Sequence, residues 1–462
     1  MDASITPLPL RKKLSDFIHD TSFEKLQPNI IHHAKLCLLD LIGVSLAGGC
    51  QKAASIVQSL IPAMSGCEEV TLWGSDRKLP LLTAVLMNAV NGHAIDMDDG
   101  HRYANGHPGV VTIPAAVALS ERENLTGRDL IEAIVIGYDF FIRLGSAINP
   151  DLLLRGFHTT ATIGCFASGA VAAKLLKLSR PQTENALSLS GLQSAGLLEV
   201  LHSGESGKSF QVGKAAQSGV LAALLAQQGA DGPERIFEAE KGFFKAFAGK
   251  SCDSPSICKN LGKDFNLTGV YFKKHAACRH IHSALDAIAE LVGRHALSAE
   301  KIDSIDIETY SIAESLTGHI ATEGSELGAK FSTPIALGLL LVFGQSDSSI
   351  YKKQYVADPR VQSIARKVTV RVNPERDKVY PGQRGALVTV KAGGQSCTHE
   401  VTYPRGEPEN PLSDDEMAAK FEKNASTLYT VERVNRMRAL ILDIENRHVR
   451  ELTSMLRAPG SL

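Results

Sequence analysis

From about Leu14 to Ala248 the apolar residues recur at three- and four-residue intervals, the spacing of one helix face. The run IIHHAKLCLLDLIGVSLAG from Ile30 keeps that spacing and stops at Gly48-Gly49, a helix-ending pair. A second helix is predicted over residues 79–94, with Pro80 in its first turn, where a missing N–H costs nothing. A third covers residues 125–147, with Thr126 as N-cap and Asp129 at the third helical position, a capping-box variant. The stretches at residues 159–178 and 211–229 are rich in Ala, Gly and Ser, so they predict central helices that approach one another closely. No window of about 18 apolar residues stands out as a membrane helix.

After about Leu261 the pattern changes. Residues 302–311 and 368–373 alternate and are rich in β-branched side chains, as do 385–394 and 398–404. The last two read as a hairpin turning at Gly393-Gly394. Helical spacing returns between them, at 282–296 and 332–344, and again from Ser413, an N-cap with Glu416 at N3. The expected fold is mainly α: a large all-helical domain of residues 1–265 and 405–462, and a smaller α+β domain of residues 266–404.

Charge narrows the function classes. The 462 residues carry 49 Lys+Arg against 50 Asp+Glu, which argues against a dedicated nucleic-acid binder. The N-terminus becomes charged before any secretory apolar run, and the eight cysteines are scattered without a CxxC pair. Free thiols and a cytoplasmic location are expected.

Four segments could carry chemistry. The densest is HAIDMDDGHRYANGHPG, residues 93–109, with His93, Asp96, Asp98, Asp99, His101 and His107 in one predicted loop. Three readings stand for it: proton transfer between tuned carboxylates and imidazoles, a metal site, or Asp side chains that only cap backbone. His158, in GFHTTATIG, precedes a small-residue helix whose N-terminus would favour a carboxylate, although a lone His is commonly structural. Lys208, in GESGKSFQVGKAA, offers a cation in an expected flexible Gly-rich loop. The P-loop pattern fails there, because His202 stands where its first Gly is needed. In FKKHAACRHIHSALDA, residues 272–287, Lys273 and Arg279 could hold carboxylates, with a solvated basic face as the plain alternative. Cys278 lacks a marked base and reads as an inert thiol.

In this order and spacing the four segments resemble the MmgE/PrpD family over nearly the whole chain, to the late EPENPLSDDEMAAKF segment. That family includes 2-methylcitrate dehydratase, cis-aconitate decarboxylase and iminodisuccinate epimerase. The resemblance implies a site between the two domains, no metal or organic cofactor, a small di- or tricarboxylate substrate and usually a homodimer; from charge and apolar pattern no nucleic-acid or membrane partner is expected. It implies Asp96, His107, His158 and Lys273 as catalytic residues, with Lys208, Arg279, His282 and Tyr138 binding substrate. Lys208 and Lys273 would hold carboxylates from opposite sides of the domain cleft. One departure stands out: dehydratase and decarboxylase members tend to carry Asp-Asp-Thr and then an aromatic, where this chain has Asp98-Asp99-Gly100-His101. The expected activity is proton removal beside a carboxylate, foremost as a hydro-lyase. An epimerase follows, then a decarboxylase, and from another class a silent carboxylate-binding protein.

Overall fold

The helical periodicity becomes a bundle of long helices in a computed structural model that describes residues 8–200, 207–321 and 325–458. Its main helices are α1 (Pro28–Gly48), α2 (Leu81–His93), α3 (Gly109–Arg122), α4 (Gly127–Ile148), α5 (Thr159–Leu175), α6 (Arg180–Leu192) and α7 (Gly207–Gln227). Thr126 caps α4 in a reciprocal box with Asp129. The small-residue helices α5 and α7 are central, and a Cβ at Gly219 would collide with the Ser168 side chain and the Cys165 carbonyl. Ser168 Oγ spans the contact, donating to the Ala215 carbonyl at 3.2 Å.

Two details differ from expectation. A two-residue antiparallel pair, β1 (Val70–Thr71) with β2 (Lys78–Leu79), interrupts the helices. And α1 is long and apolar enough, by length and composition, to cross a bilayer. The reason is packing: 78% of its apolar window is buried within the protein, between α2 and the later helix α10 (Asp414–Ala425), and a helix enclosed on all sides is apolar all round.

The strand segments form one four-stranded sheet from β3 (Ile302–Thr309), β4 (Val368–Val372), β5 (Ala386–Ala392) and β6 (Gln395–Val401), in the order β4-β3-β5-β6. β3 and β4 are parallel and the other pairs antiparallel. Gly393 and Gly394, both at positive φ, make the two-residue β5–β6 turn. Helix α8 (His282–His295) covers β5 and β6, and α9 (Thr333–Phe343) packs on α8.

Two apolar cores result. One joins residues from Leu10 to Phe272 with the C-terminal helices from Met417 to Leu456. The other joins residues from Ala276 to Val401, and into it reach Val44, Ala47, Ile95 and Met97. Ile95 and Met97 belong to the loop between α2 and α3, so that loop is anchored in the second core while its helices lie in the first. Asp96, between them, sits at a φ of 55°.

Three consecutive carbonyls of this loop each accept from a buried ammonium. Lys330 donates to Ile95 O (2.9 Å), Lys273 to Asp96 O (2.8 Å) and Lys420 to Met97 O (3.0 Å). Lys420, from α10, also pairs with Asp40 of α1 at 2.5 Å. A Lys420→Met chain would leave Asp40 buried without its cation, at a cost of about 3 kcal/mol. A clear drop in melting temperature is expected, partly restored by adding Asp40→Asn. An unchanged melting temperature in Lys420→Met would show that the pair does not hold α1 to α10.

Candidate active site

The loop and the second core enclose a cavity of about 480 Å³. Asp96, His107, His158 and Lys208 line it from the helical side, and Tyr271, Lys273, Arg279, His280, Tyr380 and Arg384 from the other. Thus six of the eight residues implied by the resemblance meet in one space. Lys208 departs from expectation in one respect: it is the second residue of α7 and not part of a loop. His158 is the N-cap residue of α5.

Asp96 joins the two lysines. Its Oδ1 lies 2.5 Å from Lys208 Nζ and 3.3 Å from Lys273 Nζ, and its other oxygen is buried without a hydrogen bond. Burial opposes its ionisation, yet Lys208 and Lys273 hold it well below the usual carboxylate range. The lysines do approach from the two sides of the cleft, and they meet on one carboxylate.

His107 is held from behind. Its backbone N–H donates to Thr160 Oγ1 at 3.1 Å. Its Nδ1 lies 2.6 Å from the Asp99 carbonyl and 3.3 Å from Asp98 Oδ2, both acceptors, so Nδ1 carries the proton and Nε2 the lone pair. Asp98 Oδ2 also accepts from His93 Nδ1 at 2.8 Å. Burial would raise Asp98, but the two imidazoles hold it below its ordinary value. Burial is also the main reason that His107 falls to about 3, with the Lys273 charge adding to it against Asp98, so the imidazole is neutral. His158 is neutral for the same reason, burial first and then Lys208. Gln211 approaches its ring, but Nδ1 remains buried without a hydrogen bond. The His93 ring stands 5.0 Å from that of His107 and 6.2 Å from that of His158, so the three imidazoles cluster beside the cavity that His107 and His158 line.

His93, Asp98 and His107 bring potential ligand atoms within 4.8 Å of one another. A metal bound through the Nδ1 atoms would have to displace the protons that they share with Asp98, and would add its charge to that of Lys273 nearby. The donor set favours the hydrogen-bonded arrangement.

The remaining implied residues lie one layer back. Tyr138 is fully buried, and its hydroxyl donates to Asp99 Oδ2 at 2.5 Å. Burial pushes Asp99 to about 8, with the Asp40 and Asp98 charges adding to it, although Tyr138 and the Gly109 N–H oppose the rise. His282, also fully buried, accepts from Arg279 Nη1 (3.0 Å) and donates to the Ala277 carbonyl (3.2 Å). Neither side chain lines the cavity. Arg279 does, yet its five N–H donors are committed to Glu407 twice, His282, and the Arg405 and Pro404 carbonyls. It braces the wall and has no donor to spare. Cys278 borders the cavity as a thiol that burial pushes up, in keeping with an inert role.

Other wall residues escaped the sequence reading. Tyr271 pairs its backbone with Gly100 in both directions, at 2.8 and 3.1 Å. A Cβ at Gly100 would collide with the Tyr271 hydroxyl. The bare glycine thus leaves room for a phenol. Tyr380 and Arg384 come from the segment before β5, and no local pattern marks either.

Comparison with known proteins gives the family. The MmgE/PrpD N-terminal domain model matches residues 12–254, and the MmgE/PrpD C-terminal domain model matches residues 275–446. The chain belongs to the MmgE/PrpD family. A cis-aconitate decarboxylase from Aspergillus terreus is 26% identical, covering 94% of this chain and 93% of its own. The cis-aconitate decarboxylase of Mus musculus is 27% identical, covering 97% and 93%. The mitochondrial 2-methylcitrate dehydratase of Yarrowia lipolytica is 24% identical, covering 85% and 79%.

The buried imidazoles of this MmgE/PrpD chain predict how stability follows pH. His101 and His107 fall to about 3 and His33 to about 4, each through burial first, from an ordinary 6.5. The unfolded chain therefore binds protons below pH 6.5 that the folded chain refuses, and stability falls with pH, by up to about 1.4 kcal/mol per unit for each imidazole. Asp99 has the opposite sign: raised to about 8, it contributes stability that is lost as pH rises towards 8. The melting temperature should peak near pH 6.5 and fall more steeply on the acid side. A profile flat from pH 5 to 8 would contradict the buried, neutral assignment.

Proposed function

We propose that the protein is a cofactor-independent lyase that removes a proton beside a carboxylate of a small di- or tricarboxylate, foremost a hydro-lyase. The observation that carries this reading is the neutral His107, its Nδ1 fixed and its Nε2 unprotonated, in a cavity where Lys208 and Lys273 stand on one shared carboxylate. A proton next to a carboxylate becomes acidic only when the negative charge formed on its removal is stabilised. Ammonium groups placed beforehand, and themselves buried, supply that stabilisation. His107 Nε2 takes the proton, and the lysines hold the carboxylate into which the charge spreads. His158, also neutral, has one donor nitrogen and one acceptor nitrogen; its N–H bonds to the departing hydroxyl, which leaves as water with the proton that His107 has taken. Asp96 keeps the two ammonium groups together until the substrate carboxylate shares them.

Two neutral imidazoles lining one cavity support elimination, which needs a base for C–H and a partner for the hydroxyl. Decarboxylation needs no base at the start, and the relatives named cis-aconitate decarboxylase keep it as a competing outcome. Epimerisation calls for groups on opposite faces of one carbon. One observation favours it as a second reading: the Tyr271 phenol, which a Cβ at Gly100 would displace, also borders the cavity.

Incubation with citrate-like and amino-dicarboxylic acids in deuterated water separates these readings. A hydro-lyase yields an alkene absorbing in the ultraviolet, and an epimerase incorporates deuterium without net product. A decarboxylase releases CO2. Absence of both exchange and turnover across the panel would defeat the lyase reading and leave a carboxylate-binding protein.

With a turned-over substrate in hand, His107→Gln should lower turnover about a hundredfold or more, the usual scale for a positioned acid–base group. Turnover kept within a few-fold would move the base elsewhere.

A further inference from the structure

The cavity wall carries four cationic side chains, Lys208, Lys273, Arg279 and Arg384, against one carboxylate, Asp96. Asp96 answers the lysine pair, and Glu407 answers Arg279 from behind at 2.9 Å. Arg384 has no carboxylate partner among the described residues, although it is 4% exposed. Among the described residues the only hydrogen bond of its guanidinium runs from Nη2 to the Arg102 carbonyl at 2.9 Å, and its Nε is buried without a partner. A guanidinium presents five N–H donors in a planar fork suited to a carboxylate, and a buried charge is costly unless answered.

The surroundings of Arg384 are built. Ser283 Oγ, in the first turn of α8, donates to the Arg384 carbonyl at 2.5 Å. The Tyr380 ring lies 5.6 Å from the guanidinium carbon and stacks on Tyr310 at 4.9 Å, and the Tyr380 hydroxyl is buried without a partner. Tyr310 is tied to His280 Nδ1 at 2.6 Å. Two unpaired polar groups, one a permanent cation, thus border the same cavity as the lysine pair.

We infer that Arg384, with the Tyr380 hydroxyl beside it, binds a second, non-reacting carboxylate of the substrate while the first rests on Lys208 and Lys273. This rests on the lyase reading and extends it. The substrate then needs at least two carboxylates held at separate points, and Arg384 selects against analogues that lack the distal charge. Arg279, whose donors are full, leaves that role to Arg384.

Calorimetric titration of the full chain with glutarate and with its half-amide, 4-carbamoylbutyrate, tests the inference. The parent protein should prefer the dianion by about tenfold or more, the effect of one charge-assisted pair. Arg384→Gln should bind both compounds alike, with affinity for the half-amide unchanged, a loss of selectivity that a merely structural role would not produce. Tyr380→Phe, which keeps the ring and its stacking, should reduce the preference a few-fold and provides the test should Arg384→Gln not fold. A preference undiminished in a folded Arg384→Gln, or in Tyr380→Phe where that variant alone folds, overturns the assignment and leaves the lyase reading standing. A parent protein that binds neither glutarate nor propane-1,2,3-tricarboxylate overturns both.

Discussion

The site depends on how the loop between α2 and α3 is held. Its carbonyls at residues 95, 96 and 97 point to three ammonium groups that arrive from three parts of the chain, Lys330, Lys273 and Lys420. Such a loop could not be buried with its backbone unsatisfied, since each orphaned carbonyl would carry a desolvation penalty. The lysines remove that penalty and also tie the helical bundle, the second core and the C-terminal helix to one short segment. Asp96 adopts a positive φ inside this clamp, with Ile95 and Met97 reaching into the second core. The geometry of the candidate site is therefore a product of the join between the cores.

Burial makes two opposite demands on the same few residues. In the proposed reaction the imidazoles accept a proton and the ammonium groups receive an anion. The structure separates these demands by partner. His93 and His107 face Asp98 through their Nδ1 atoms, which orients them, while their burial outweighs that carboxylate and keeps them unprotonated. Lys208 and Lys273 face Asp96, which keeps two like charges close to each other. Each carboxylate in the loop thus has its own task. Asp99, a layer deeper, is bound to Tyr138 and to the N-terminus of α3 and fixes the loop's exit.

Most of the fold was legible in the linear pattern, because helix and strand periods are local. The capping boxes at Thr126 and Ser413 and the turn at Gly393-Gly394 stand where expected. Lys208 was misplaced because Gly-rich sequence reads as loop, although glycines near a helix start also let neighbouring backbone approach. Lys420 and Lys330 gave no sign. In an amphipathic segment such as SDDEMAAKFEKNAS a lysine looks solvated, and only the approach of α10 to α1 and to the loop buries it.

The candidate site shows where local pattern stops being informative. The Cys-Arg-x-x-His spacing drew attention to Arg279 and His282, and that spacing does have a physical cause. Residues three apart at a helix start lie on one face, so the guanidinium can donate to the imidazole. The same closeness consumes donors. Arg279 is bonded on every N–H, and His282 on both nitrogens, so the most patterned pair is the one with least capacity to bind anything else. Arg384 has the opposite character. No neighbour in sequence is spaced to answer it, and tertiary packing brings it to the wall with its Nε unpaired. This motif therefore marks residues that satisfy each other. The capacity to bind a ligand lies with polar atoms that the fold leaves unsatisfied, and these can be counted only after the chain has closed around the cavity.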